Sequence, residues 1–441
     1  MLNNLGVQKK RLIVIGAGAA GFFCAVNAAR MQPALEVIIL EKSSKVLSKV
    51  RISGGGRCNV THACFDIAEM VKKYPRGGNF VKKTFHQFFT TDTIKWFDER
   101  KVLLKTEADG RMFPVTNSSQ TIIDCLLQEA EKYGVSVMMN TEVKSVDSMV
   151  NRVESSEVDR ETGETDKVSR QFILHIVSTA NQPSAISHLT ADFVCIASGG
   201  YPKSSMFDWL KNTGHTIEDP VPSLFTFNMR GNDITKLMGI SVENVKVKIA
   251  GTKLESTGPL LITHWGLSGP AILKLSAWGA TQTAKSNYEF SAIINWLPSY
   301  NEKTLREQFD QLRFDIAAQK ITTKNPFGLP HLLWEYFLQQ CGIKEEIRWA
   351  GLPAALQNKL IKILCTQECK VKGKTTFKEE FVTAGGIRLN ETDANTMMSK
   401  RVPNLFLAGE ILDVDGLTGG FNFQHAWTSG WIAAKTIAQR S

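Results

Sequence analysis

The chain has 441 residues, 22% of them charged, and a formal net charge of +9. That length carries two or three domains with ample cores, and no apolar run reaches the roughly 18 to 20 residues that a membrane span needs. The eight cysteines are scattered and form no C-x-x-C pair, so neither a zinc ribbon nor a dithiol motif is supported, and free thiols in a reducing cytoplasm are expected.

The first predicted element is the strand Arg11 to Ile15, followed by Gly16, Gly18 and Gly21 in a G-x-G-x-x-G turn and an alanine-rich helix to about Met31. A second strand, Glu36 to Leu40, ends in Glu41. This is a nucleotide-binding βαβ pattern. Gly16 allows the tight turn, Gly18 lets a pyrophosphate approach the backbone, and Gly21 lets helix and strand pack closely. The helix N-terminus, with unpaired N–H groups and a positive dipole end, favours the phosphate charge. Glu41 is placed to accept hydrogen bonds from a ribose and repels a 2′-phosphate, which points to the ADP of FAD or NAD rather than NADP. Lys9, Lys10 and Arg11 before an apolar run imitate a signal peptide, but three glycines within six residues and a strand ending in a carboxylate argue against export.

Next comes KVRISGGGRCNVTH, Lys49 to His62, read as a loop. Gly54, Gly55 and Gly56 expose backbone N–H groups between Arg51 and Arg57, which suits a phosphate or the edge of a flavin. Cys58 has no cysteine partner at useful spacing and is given a positional role. Phe65 to Arg100 reads as helical, GRMFP at 110 to 114 as a turn and extended piece, and Asn117 or Ser118 as the cap of a helix carrying Ile122 and Leu126. Strands are predicted at 135 to 139, 141 to 146, 172 to 177 and 193 to 197, the last ending in Ser198, Gly199 and Gly200. The charged excursion Asn151 to Arg170 is expected to be a solvated hairpin loop.

From Tyr201 the pattern changes. Short alternating runs over 221 to 297 predict an antiparallel β domain, containing a strand-like LLIT that runs into His264, Trp265 and a glycine turn. Residues 302 to 367 read as amphipathic helices broken by prolines. The last 65 residues return to α/β character: NLFLA at 404 to 408, then Gly409 and Glu410, then Gly419 and Gly420 entering an alanine-rich helix. This second helix N-terminus is suited to stabilising negative charge on a bound group. At the N1/O2 edge of a reduced flavin it would raise the reduction potential. Lysine and arginine are spread along the chain, and a basic surface attracts nucleic acid, anionic membranes or small anions alike, so charge alone names no partner.

These motifs together resemble the FAD-dependent oxidoreductases of the BaiN and aminoacetone oxidase type. The resemblance rests on GAGAAG at 16 to 21, SGGGRCN at 53 to 59, GRMFP at 110 to 114, THWGLSGPA at 263 to 271, VTAGG at 382 to 386 and AGEILDVDGLTGGFNFQHAW at 408 to 427. It implies an α/β fold: a discontinuous, glutathione-reductase-like Rossmann FAD domain (1–200 and 376–441), an inserted antiparallel, β-barrel-like region (201–300) and a helical region (301–375).

Carried onto this chain, it implies that Gly16, Gly18, Ala19, Ala20 and Gly21 hold the pyrophosphate and Glu41, with Lys42 beside it, the adenosine ribose. Val143 would meet adenine through its backbone. Arg51, Ser53, Gly54, Gly55, Gly56, Arg57, Cys58 and Asn59 would line the pyrophosphate and isoalloxazine. Ala197, Ser198 and Gly199 form a further close approach. Gly409, Glu410 and Asp413 would meet the ribityl or pyrophosphate region, and Gly419, Gly420, Phe421 and Asn422 the flavin ring. Arg51 and His62 depart from the common family pattern of an aliphatic residue and Asn, and His425 sits where the family fixes no residue.

The leading functional expectation is hydride transfer between flavin N5 and a small organic substrate or NAD(P)H, with the substrate entering between the two domains. His264 is the acid or base candidate. No second G-x-G-x-x-G follows a strand, so NAD(P)H would dock transiently, or the substrate itself would be the reductant. The alternatives are an RNA-modifying flavoprotein, motivated by the positive charge, and a non-catalytic FAD-binding redox sensor. No metal site and no membrane partner are expected.

Overall fold

In the computed structural model, which describes residues 9–152, 168–180, 186–211, 213–375 and 382–441, the opening stretch folds as strand β1 (Arg11–Ile15), helix α1 (Ala19–Met31) and strand β2 (Glu36–Leu40). Strands β3 (Ser136–Met138), β4 (Phe193–Ile196) and β5 (Leu405–Leu407) complete a five-stranded parallel sheet in the order β5-β4-β1-β2-β3. Leu12, Ile13 and Val14 of β1 are fully buried, as expected for the central strand of a sheet covered on both faces. Helix α2 (Phe421–Arg440) packs along α1, and Gly430 makes this possible, since a Cβ there would lie 2.6 Å from the Ala20 carbonyl oxygen.

The chain divides into a first unit, 1–221 with 382–441, and a second, 222–381. Residues 201–221, which composition placed with the insert, thus pack with the first unit. The strand Ile217–Pro222, by which the chain leaves it, pairs with Thr383–Ile387, by which it returns. The boundary expected at 376 falls among residues outside those described. Thr141–Arg152 and Val168–Ser178 form a long hairpin, joined by Ser187–Ala191 in a meander. Most of the charged excursion expected between them lies outside the described residues.

The second unit is built on seven antiparallel strands. The first and last in sheet order, Gln367–Lys372 and Lys374–Thr375, are two halves of one bent segment. The first half pairs with Glu289–Asn295 and the second with Thr226–Asn228. Bending at Gly373, φ +90°, thereby closes the sheet on itself as a small barrel. The region whose alternating runs predict β also contains a helix, Pro270–Lys285. Pro270 at its first position and the helix formers after it favour that turn into helix. Its Ile272 and Leu275 join a core with Val247, Leu260, Trp296 and Trp334. Helices Glu302–Asp315, His331–Cys341 and Ala354–Thr366 follow as expected, and no helix among the described residues is long and apolar enough to cross a membrane.

Candidate FAD site

Two kinds of glycine build this site. Those of the first kind are locked against protein: a Cβ would lie 1.9 Å from the Gly16 carbonyl oxygen at Gly21, 2.5 Å from Ala197 O at Gly16 and 2.5 Å from Thr61 O at Gly420. Those of the second kind face outward: at Gly18, Gly55 and Gly199 a Cβ would meet nothing within 4 Å. The close-packed glycines bring β1, β4 and the helices together, while the open ones leave backbone that a ligand can approach. Both α1 and α2 start at a glycine cap without a side-chain hydrogen bond, and neither has an acidic residue in its first turn. The first-turn amides of an α-helix have no partner within the helix, so both ends are suited to an anionic group.

Glu41 at the end of β2 accepts hydrogen bonds from Ala17 N at 2.9 Å, Ser43 N at 2.9 Å and Ser43 Oγ at 2.8 Å. This pins its carboxylate at the mouth of the glycine turn. Exposed Lys42 places its ammonium 5.6 Å from the Tyr201 ring centroid. Val143 is buried beside a β-bulge in the long hairpin.

The stretch read as a loop from Lys49 is helical at first and breaks at Ser53, after which Gly54 and Gly55 take left-handed conformations. Arg51 Nη1 donates to Gln120 Oε1 at 2.8 Å. Arg57 pairs with Glu107 and lies 4.0 Å over the Phe113 ring. Cys58 is fully buried, and burial pushes its thiol up to about 12, which fits a positional rather than a redox role. Asn59, with its amide oriented to satisfy both ends, accepts from Gly420 N at 2.9 Å and donates to Thr61 O at 3.0 Å. This joins the second glycine motif to the start of α2.

At the β5 end, Glu410 accepts from Thr383 N at 3.0 Å and pairs with Lys49. Asp413 accepts from Gly385 N at 3.0 Å, and burial raises its carboxyl above the usual range. Gly409 N donates to Ser429 Oγ at 2.9 Å, and its carbonyl lies 3.3 Å from His425 Nε2. Burial lowers His425 to about 4, so its imidazole is neutral, with Nε2–H donating to Gly409 O.

The side chains of Phe421 and Asn422 are already engaged. Phe421 is buried, its ring stacked on His62 with centroids 4.7 Å apart. Asn422 accepts from Gly416 N at 2.7 Å and donates to Gly416 O at 2.9 Å, closing the turn before α2. What these two residues offer a ligand is their backbone N–H. Gly419, next to them, faces the His62 and Phe421 rings.

Several supporting residues carried no sequence signal. Arg76 forms a forked ion pair with fully buried Asp415, Tyr74 Oη donates to Phe421 O at 2.6 Å, and Trp427 Nε1 donates to Val60 O at 2.9 Å. His264 lies in the second unit, exposed at a two-residue hairpin turn with its ring 4.2 Å from that of Trp265. Among the described residues no hydrogen bond orients its imidazole.

A parallel sheet with a glycine turn opening α1, a carboxylate at the end of β2 and a second uncapped helix N-terminus defines a Rossmann-type FAD-binding domain, and the residues present fit that cofactor. Residues 10–436 match the HI0933-like protein Rossmann domain, and the chain belongs to this family of FAD-dependent oxidoreductases. It is 28% identical to a ribosomal RNA dihydrouridine synthase of Haemophilus influenzae over 98% of this chain and 100% of that one. It is 30% identical to a protein of the same name from Escherichia coli, over 96% and 97%. It is 25% identical to a 3-dehydro-bile acid delta(4,6)-reductase of Clostridium scindens, over 98% and 99%.

Proposed function

We propose that this chain is a FAD-dependent reductase of a carbon–carbon double bond conjugated to a carbonyl, and that its substrate is uridine in ribosomal RNA. The observation that carries the reading is the shared chemistry in the names of three relatives matched along nearly their whole length. Dihydrouridine is uridine with C5=C6 saturated, and a delta(4,6)-reductase also acts on carbon–carbon double bonds. The net charge of +9 agrees with a polyanionic substrate.

Bound FAD would supply the hydride chemistry that saturates C5=C6 of uridine, with hydride at C6, the carbon β to the carbonyl, and a proton at C5. The chain's own residues bind and orient. The first-turn amides of α1 hold the pyrophosphate, Glu41 accepts from the ribose hydroxyls, and the amides of Phe421 and Asn422 bring the positive end of α2 to the N1/O2 edge. Neutral His425 fixes the Gly409 carbonyl, and Asn59 holds Gly420 in register. His264, exposed and without a hydrogen bond to orient it among the described residues, is given no part in this step. NAD(P)H is the proposed source of electrons, docking transiently.

The test is an anaerobic titration with NADH and then NADPH, following the flavin absorbance bands, after which ribosomal RNA lacking the modification is added. Bleaching, reoxidation by the RNA and a mass gain of two hydrogens on one uridine are expected. A reduced flavin that the RNA leaves unchanged but a conjugated steroid enone reoxidises would replace this reading with a small-molecule reductase, the alternative favoured by the Clostridium relative.

A further inference from the structure

Most of the net positive charge lies in the insert. Residues 222–381 hold 20 Lys and Arg against 14 Asp and Glu, so this stretch carries +6 of the chain's +9. Within it, helix Pro270–Lys285, like Ala354–Thr366, carries two lysines and no carboxylate, but it alone of the two sets an exposed tryptophan between them. Its inner face, Ala271, Ile272, Leu275, Gly279 and Ala280, is fully or almost fully buried, so the helix is held rigidly against the strands. Its outer face presents Lys274, Trp278 and Lys285 at i, i+4 and i+11, on one stripe of the helix. Trp278 is 42% exposed, and among the described residues neither lysine takes part in an ion pair. Exposed Lys253 adds a charge beside the helix, since the neighbouring Leu254 side chain would lie 3.5 Å from a Cβ at Gly279.

We infer that this helix face is an RNA-gripping surface, in which Trp278 stacks on a base and Lys274, Lys285 and Lys253 contact phosphates. The chemistry is that of sequence-tolerant RNA binding: a flat aromatic surface available to any base, between cations about 6 Å and 10 Å away along the axis. Lysines without carboxylate partners can neutralise phosphates at no cost in broken ion pairs. A face used only for solubility has no need of a half-exposed tryptophan between them. The inference rests on the ribosomal RNA reading and assigns the contact surface which that reading lacks.

The test is fluorescence anisotropy of a fluorescein-labelled oligouridylate with the full-length, FAD-loaded protein, at about 50 and about 200 mM salt. Lys274→Glu with Lys285→Glu is expected to weaken binding more than tenfold at low salt and to flatten the log–log salt dependence by about 0.7 per lysine. Trp278→Ala is expected to weaken it by about tenfold with the salt dependence unchanged, and Trp278→Phe by less. Lys359→Glu with Lys362→Glu makes the same change of net charge on another exposed helix face and serves as the control. Equal losses in both double variants would overturn the assignment by showing a generic charge effect, as would unchanged binding in all variants. Absence of binding by the unaltered protein at low salt would instead remove the ribosomal RNA reading itself. An unchanged far-UV circular dichroism spectrum and denaturant-unfolding midpoint in each variant show that the insert is folded.

Discussion

The two units differ in what their glycines and aromatics are for. In the first, backbone comes to within contact of backbone at Gly16, Gly21 and Gly420, and side chains are kept away from the outward-facing Gly18, Gly55 and Gly199. In the second, Trp296, Trp334 and Trp349 fill a core on which a closed sheet and the four helices described above are packed. One unit keeps stretches of backbone free of neighbouring side chains, and the other packs its interior with its own side chains. A ligand-shaped region should therefore show affinity defects without stability defects, and a self-filled one the reverse.

The sharpest test of that contrast compares two glycines three residues apart. In Gly21→Ala the new Cβ meets the Gly16 carbonyl, so the turn must move. A stability loss of more than about 3 kcal/mol and loss of the flavin absorbance are expected. Gly18→Ala meets no protein atom, so unfolding should shift by less than about 0.5 kcal/mol while FAD affinity, followed by fluorescence on titration, falls at least tenfold. Equal stability losses in the two would show that both glycines are structural.

Trp334→Ala should do the opposite. Its ring is fully buried and its Nε1 donates to Ile321 O at 2.9 Å. Truncation is expected to cost about 3–5 kcal/mol in denaturant unfolding, with FAD content at purification unchanged. A variant that loses its flavin as well would mean that the insert's core supports the cofactor site.

The third prediction concerns pH. Burial lowers His425 in the folded chain to about 4, below the value near 6.5 of an unfolded histidine. As pH falls, the unfolded chain takes up this proton first. Stability from this group is therefore complete above about pH 6.5 and lost between there and about pH 4, by at most about 3 kcal/mol. His62 and His215 are also lowered by burial and contribute in the same direction. His425→Phe should give a shallower dependence of unfolding free energy on pH in this window, and an unchanged slope would show that the group titrates normally.

The smallest effect is expected at His264. An exposed, unoriented imidazole gives little catalytic advantage, so His264→Gln should leave turnover within about twofold. A loss of a hundredfold or more would establish it as the proton donor.

The local parts of this protein follow from neighbouring residues alone. The G-x-G-x-x-G turn, the alternating strands and the alanine-rich helices are written in neighbouring residues, because steric and hydrogen-bond preferences act over a few positions. That is why βαβ and the start of α2 were legible. Ser118 as a helix cap was legible for the same reason, and its side chain accepts from Gln120 N. Helix Pro270–Lys285 escaped because a strand-like run leads into it and its apolar side reads equally well as β.

Which parts meet depends instead on packing between distant segments. Asn59 reaches Gly420, Arg76 reaches Asp415, and the segment through Gly373 closes the barrel by pairing with strands far apart in the sequence. Such contacts join residues separated by scores to hundreds of positions and leave no periodicity to read. The same holds for the division of the glycines into closed and open. Spacing marks a glycine as permitted, but only the neighbouring backbone, brought in from elsewhere in the chain, determines whether it faces protein or ligand.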